Sequence, residues 1–477
     1  MKLRFLFGIL VTTLLFACKG DTPLSNDMYF GGLIINPTSK FVVLFKKDVV
    51  VDTFYLDGNN KFGGKLVGAE KGLYVFKHPP ENQIVYLEHG DSTLVLLNTL
   101  DFDESLTFSG TGAAKSNFLN KMYLLNQENN DLILSYYKLE PSEFVHKTDS
   151  IRDYRISQLD TWNKRNQFSE EFFELAQATI NYEYYHLRER YAFLIRKHSR
   201  ETLDKIPEDF HDYRSEISFN EQHLEDYYIY LNLIDDYLKT RSLEYCEENN
   251  ITSENCYDLT DYDNIKRRII LADSLIENQR VKNNFLDRLA AQGIIFSNSR
   301  EDLVAILQLL DEIGYGGDRM DDLRQMAGIQ NALLPGRDLG ELKLLNASRD
   351  TVKFEEISEK PKISFHWSVN SQRHHKWQHR IIEGLRFKYP EIDFIGINID
   401  KDQFTEWENV IKNQNYPAEF EYKLNIMNIN EVLLKNYLNK LFFLDASGKV
   451  IRGDVQLNSL DYETSILEFI SSNGSNT

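Results

Sequence analysis

Chemistry in this chain of 477 residues would have to come from a small set of side chains. There are three cysteines, Cys18, Cys246 and Cys256, and a run of histidines in which His366, His374, His375 and His379 fall within fourteen residues. Cys246 and Cys256 stand ten apart across the polar segment EENNITSEN. In an exported protein that spacing suits one structural disulfide and does not suit a Cys-x-x-Cys redox pair. His375 and His379, four apart on a predicted helix, share a face and could offer two imidazoles to a metal. A metal would need a third ligand, and neither an HExxH glutamate nor a neighbouring cysteine accompanies them. The pair therefore reads as a solvated helix face, with metal binding as the alternative, and no cofactor is expected. Serine triads assemble in space and cannot be read from spacing.

The elements that must position these residues follow a βαβ pattern. Ile363–Trp367 is a short apolar strand, and Ser368–Gln372 is a polar turn. A helix then carries Trp377, Ile381, Ile382, Leu385 and Phe387 at helical spacing. Ile392–Asp400 is a second buried-looking strand. Leu441–Asp445 and Lys449–Gly453 form a hairpin through Ala446-Ser447-Gly448, with Gly448 free to take a positive φ. A last amphipathic helix runs from Tyr462 to Ile470. Upstream, ELKLLN and TVKF give strand signals before Lys360-Pro361.

This order, with Phe365-His366-Trp367-Ser368 at the strand end and LFFLDASGKVIRG as the hairpin, resembles a thioredoxin-like domain of the TlpA/ResA type. That resemblance implies a Trp-Cys-x-x-Cys turn, and here both cysteines are missing. Aligning Phe365-His366 with the family's Phe-Trp puts Asn370 and Arg373 at the cysteine positions. Aligning Trp367 there instead puts Ser371 and His374. The family's cis-proline falls on Asn439. The implied thiol chemistry has no sulfur in either frame, although the helix N-terminus near Asn370 is expected to keep backbone N–H donors on offer.

A formal charge of −19 argues against nucleic acid as a partner and against whole-molecule electrostatic attachment to lipid. Membrane contact has another route. Lys2 and Arg4 precede the apolar run Phe5–Phe16, which is too short to span a bilayer. It ends in Leu15-Phe16-Ala17-Cys18, which resembles a bacterial lipobox. The expectation is a signal peptide over residues 1–17 and lipidation at Cys18. A polar tether follows over 18–27, and the protein belongs in a bacterial cell envelope, at the outer membrane facing the periplasm or the cell surface.

Between tether and thioredoxin-like domain, two further regions are read. Residues 28–113 hold short β-branched or aromatic runs separated by turn formers such as Asn36-Pro37 and Asp57-Gly58-Asn59-Asn60, the pattern of a small all-β sandwich or barrel. This stretch resembles the N-terminal β domain of unknown function on many Bacteroidota lipoproteins, through Asp52-Thr53, Gly90-Asp91-Ser92 and Phe102-Asp103-Glu104-Ser105-Leu106. Gly110-Thr111-Gly112 lacks a phosphate-loop context and is read as a loop entering a helix, with Ser116-Asn117 as its cap. Residues 114–334 carry helical periodicity, including Phe172–Ile195, Leu224–Tyr245, Ile265–Ala291 and Glu301–Ile313, and are expected to form a helical bundle. Leu334-Pro335-Gly336-Arg337 breaks the pattern, and 335–477 is the thioredoxin-like domain. The fold class is thus multidomain, β, then α, then α/β.

Two functions remain open, with a third behind them. The first is a lipid-anchored envelope protein that binds a protein or ligand through a redox-inactive thioredoxin-like domain. The second is the thiol–disulfide oxidoreductase that the resemblance would imply. The third is a metal-binding protein using the histidine run.

Overall fold

The computed structural model describes residues 27–136, 138–425, 430–459 and 461–474. The expected signal peptide, Cys18 and all of the tether except Asp27 lie outside the described residues. The chain divides into two compact units, residues 1–240 and 241–477. No helix among the described residues is long and apolar enough to cross a membrane.

The first unit begins with eight strands: β1 (Met28–Ile35), β2 (Phe41–Lys46), β3 (Val49–Tyr55), β4 (Lys61–Leu66), β5 (Gly72–His78), β6 (Glu81–Leu87), β7 (Ser92–Asn98) and β8 (Thr107–Thr111). They form two four-stranded sheets, ordered β4-β1-β7-β8 and β3-β2-β5-β6. Alternating side chains from both sheets meet in one core. At its centre Phe30 packs edge-on to Phe54 and Phe62, with ring centroids 6.0 and 5.6 Å away. Two strands, β4 and β8, have no counterpart in the sequence reading. In β8 lies a partial correction to Gly110-Thr111-Gly112: Gly110 and Thr111 end a strand, while Gly112 is the turn that leads into the next helix. Gly112 has φ +87°, and a Cβ there would sit 2.2 Å from the Asp91 carboxyl carbon, so glycine is required.

Helices follow: α1 (Phe102–Ser105) between β7 and β8, then α2 (Ala113–Tyr136), α3 (Pro141–Asn166), α4 (Glu170–His198) and α5 (Tyr228–Glu248). Ser116 and Asn117 do not cap α2, which starts before them. Their side chains dock it on the sheets. Ser116 Oγ accepts from Tyr86 N, and the Asn117 amide pairs with both the N–H and the carbonyl of Phe108. The tyrosine-rich α4 is core, with Tyr185 stacked on Tyr213 and Tyr191 on Phe144. Charge is buried there in matched sets. His186 lies between Asp236 (3.0 Å) and Glu183 (3.6 Å). Burial alone would lower its pKa, but these two carboxylates raise it to about 9.

The second unit holds α6 (Tyr262–Leu275), α7 (Gln279–Phe296), α8 (Arg300–Glu312) and α9 (Met320–Ala332). The predicted helix Ile265–Ala291 is two helices, α6 and α7. Asn278 restarts the chain by accepting N–H groups from Arg280 and Val281. Cys246 and Cys256 are joined in a disulfide with a Cα–Cα distance of 6.1 Å, and both are buried.

Beyond these helices lie β9 (Lys343–Leu345), β10 (Thr351–Lys353), β11 (Lys362–Trp367), α10 (Gln372–Lys388), β12 (Asp393–Asn398), α11 (Phe404–Gln414), β13 (Glu421–Leu424), α12 (Glu431–Leu434), β14 (Lys440–Leu444), β15 (Val450–Gln456) and α13 (Tyr462–Gly474). One seven-stranded sheet results, ordered β10-β9-β13-β12-β11-β14-β15. β11 and β12 are parallel, β14 runs antiparallel to β11, and β15 pairs antiparallel with β14 at the sheet edge. That is the thioredoxin-like arrangement. Ile382 and Leu385 of α10, Trp407 of α11 and Phe469 of α13 share the core with Phe365 and Phe443 of the sheet. Phe387, read as part of the buried face, is 92% exposed instead.

Candidate functional site

The turn after β11 holds the positions that the sequence comparison aligned with the family's cysteines. Ser368 is fully buried, and its hydroxyl meets Asp400 Oδ1 at 2.5 Å. The Val369 N–H donates to Asp400 Oδ2 at 2.6 Å, and Asn370 Nδ2 donates to Oδ1 at 3.1 Å. A fourth donor, Asn398 Nδ2, reaches Oδ2 at 2.7 Å. Asp400 is itself only 1% exposed. One buried carboxylate thus gathers the turn and the end of β12, as a charged acceptor surrounded by donors can. The Lys423 ammonium donates to Asn398 Oδ1 and to the Asp400 carbonyl, and burial lowers its pKa. Two backbone donors near Asn370 are in use: the Asn370 N–H goes to Ser368 Oγ at 3.2 Å and the Ser371 N–H to the Ser368 carbonyl at 3.1 Å.

Of the four positions aligned with the family's cysteines, the structure brings His374 to Asn439. His374 Nε2 and Asn439 Oδ1 are hydrogen-bonded at 2.7 Å across the gap between α10 and the segment leading into β14. Ser371 precedes the first turn of α10 without a side-chain cap bond, and Asn370 and Arg373 are exposed residues.

His375 and His379 do not form a solvated face. They are 1% and 5% exposed, a correction with a clear physical cause. His375 Nδ1 bonds to the Tyr416 hydroxyl at 2.8 Å, and the Tyr416 ring stacks on His379 at 3.6 Å. His379 Nδ1 donates to the His375 carbonyl, while its Nε2 faces Glu421 Oε1 at 3.3 Å. Glu421 is fully buried and also accepts from the Trp367 indole at 2.9 Å. Gly396 makes this reach across β12 feasible: a Cβ there would lie 2.2 Å from Glu421 Oε2. Burial, with His379 nearby, pushes the pKa of His375 down to about 4, and burial beside Lys440 does the same for His366. Among the described residues no group of three or more His, Cys, Asp or Glu is placed to hold a metal.

The segment before β14 is also engaged. Lys440 is 1% exposed and donates to the Ile295 carbonyl and to Gln330 Oε1 (2.9 Å), with burial pushing its pKa far down. Tyr437 OH reaches the Met326 carbonyl at 3.4 Å. Helices α7 and α9 therefore pack against the residues on either side of Asn439. Sequence reasoning missed Asp400, Glu421, Lys423 and Lys440. The available signal was a charged residue ending or starting an apolar strand, as in IDFIGINID and NKLFFL.

No family model matches the chain, and no curated protein matches it. Solved structures similar to part of it include the thioredoxin domain of a thiol-disulfide oxidoreductase from Bacteroides vulgatus (12% identity, 29% of this chain and 98% of that one, TM-score 0.23). A thiol-disulfide oxidoreductase from Bacteroides fragilis matches at 16% identity over 28% of this chain and 99% of that one, TM-score 0.23. An uncharacterized thioredoxin-like protein from Porphyromonas gingivalis matches at 15% identity over 28% and 90%, TM-score 0.22. Likenesses of this size assign no activity to the chain.

Proposed function

We propose that the chain is a lipid-anchored protein of a bacterial cell envelope whose thioredoxin-like domain is a binding scaffold without thiol redox activity. The observation that carries this reading is the turn at Ser368–Ser371. It contains no sulfur, and the Asp400 carboxylate holds it through three donors of the turn, with Asn398 of β12 as a fourth. Disulfide exchange needs a thiolate to attack and a second sulfur to resolve the mixed disulfide. The fixed turn and the His374–Asn439 contact suit a rigid recognition surface. The runner-up, an envelope thiol–disulfide oxidoreductase, would have to use Cys246 and Cys256. Arg267 does lie 3.5 Å from Cys256 Sγ, yet both cysteines are buried away from an attacking thiol. Metal binding by His375 and His379 has less support, because their ring nitrogens already face Tyr416, a carbonyl and Glu421. Reduction of insulin by the unlipidated chain (residues 18–477, Cys18→Ser) tests the reading. No turnover above buffer is expected, and turnover would overturn it.

A further inference from the structure

The sheet β4-β1-β7-β8 has one face in the core and one face outward. Register places the outward residues in rows: Lys65 beside Tyr29, Gly63 beside Gly31 and Leu94, and Lys61 beside Leu33 and Leu96. Leu94 and Leu96 are 41% and 43% exposed, and Ile35, further along β1, is 42% exposed. Alternation along β7 explains why: Thr93, Val95 and Leu97 point inward, so Leu94 and Leu96 cannot. Exposed aliphatic side chains grouped on one sheet face mark a contact surface.

Charge on this face departs from the rest of the chain. The sequence carries 73 acidic and 54 basic residues, yet the outward positions of these four strands hold Lys61 and Lys65 and no aspartate or glutamate. On β8 the outward residues are the hydroxyls Thr107, Ser109 and Thr111. Two carboxylates border the face: Asp27 at its corner, 3.9 Å from Lys65, and Asp57, which accepts the Lys61 backbone N–H at 2.9 Å. The chain enters this sheet at that corner, since Asp27 leads directly into β1.

We infer that this face rests on the anionic headgroup surface of a phospholipid membrane. The inference rests on the anchored reading proposed above. With a lipid on Cys18, Asp27 follows nine residues later, no more than about 30 Å of extended chain, so the face stays within reach of the bilayer. Leu94, Leu96 and Ile35 enter the boundary between headgroups and acyl chains, Tyr29 sits among the headgroups, and Lys61 and Lys65 meet lipid phosphates. A single anchor lets a protein swivel; a second contact fixes how this β sheet lies against the bilayer. The net charge of −19 repels the membrane as a whole, but screening over about 8 Å at physiological salt makes the local face decisive.

The test uses the unlipidated chain (residues 18–477, Cys18→Ser) with vesicles of phosphatidylethanolamine and phosphatidylglycerol, read by co-sedimentation. Weak, salt-sensitive binding is expected for the parent. Leu94→Asp with Leu96→Asp should lower the bound fraction about tenfold, and Lys61→Glu with Lys65→Glu should remove the dependence on phosphatidylglycerol. Val50→Asp, on the other sheet, should leave binding unchanged, and thermal unfolding checks that each variant is folded. Absence of parental binding, or equal binding by all variants, overturns the inference. So does a dimer in solution that the leucine substitutions abolish, which would assign the face to a second copy. Because no lipid anchor is present, failure here leaves the Cys18 reading standing.

Discussion

Replacing Asp400 with alanine separates a structural clamp from a carboxylate held for chemistry. The side chain takes donors from Ser368, Val369, Asn370 and Asn398. Asn370 is exposed and can turn to water. Ser368 and Asn398 are fully buried and cannot do so without water entering the vacated volume. Hydrogen bonds to charged groups contribute about 1.5–3 kcal/mol each, and partial rehydration offsets some of that loss. Lys423 in addition loses its nearest compensating charge. The expected destabilisation is about 3–5 kcal/mol. For a unit the size of residues 241–477, each kcal/mol moves Tm by about 2–4 °C, so a fall of about 6–20 °C is expected. Tryptophan fluorescence is the suitable probe, because Trp367, Trp377 and Trp407 all lie in that unit. Asp400→Asn, which keeps one acceptor oxygen, should cost less. A site that trades stability for activity behaves oppositely: neutralising its carboxylate leaves stability unchanged or raises it. Unchanged or increased Tm in Asp400→Ala would refute the clamp.

Three further outcomes are expected. His366 and His375 titrate at about 4 in the fold and near 6.5 when unfolded, so the stability they contribute is present above pH 6.5 and is lost as pH falls from 6.5 to 4. By linkage this is up to about 3 kcal/mol for each, and urea unfolding at pH 7 and pH 5 measures it; equal midpoints would contradict the burial described for both rings. Gly396→Ala should cost about 2–4 kcal/mol by expelling the Glu421 carboxylate from the Trp367 indole, visible as a red-shifted emission and a lower Tm. Cys18→Ser in the native precursor should release the protein from membranes or leave it unprocessed, and wild-type fractionation with normal maturation would end the lipoprotein reading.

Legibility in the sequence followed the range of the interactions involved. β11, β12 and the β14–β15 hairpin are dense in Ile, Phe and Leu, so local pattern alone located them. β4 and β8, KFGGKL and TFSGT, escaped because glycine dilutes strand propensity. Partners far along the chain recruit them, Gly63 lying opposite Gly31 and beneath the Tyr29 ring. The break between α6 and α7 was encoded locally in Asn278 and was overlooked beneath a continuous apolar period. The candidate site was half visible. Missing sulfur at Asn370, Ser371, Arg373 and His374 is a sequence fact, as is Asn439. What replaced it was not visible, because Asp400 closes on the turn from β12 and Glu421 reaches His379 and Trp367 from β13. A histidine four residues from another reads as solvent-facing until a buried glutamate and a stacked tyrosine are found beside it.

The central claim is that this chain performs no thiol exchange, neither at its thioredoxin-like turn nor through Cys246 and Cys256. Insulin reduction with dithiothreitol, followed by turbidity, tests it most directly on two proteins: the unlipidated chain and the same chain carrying Cys246→Ser and Cys256→Ser. Both should follow the buffer curve. Acceleration by the first protein alone would make the helical disulfide a redox centre and reinstate the oxidoreductase reading, and acceleration by both would mean a sulfur-free turn can drive exchange; either result contradicts the claim.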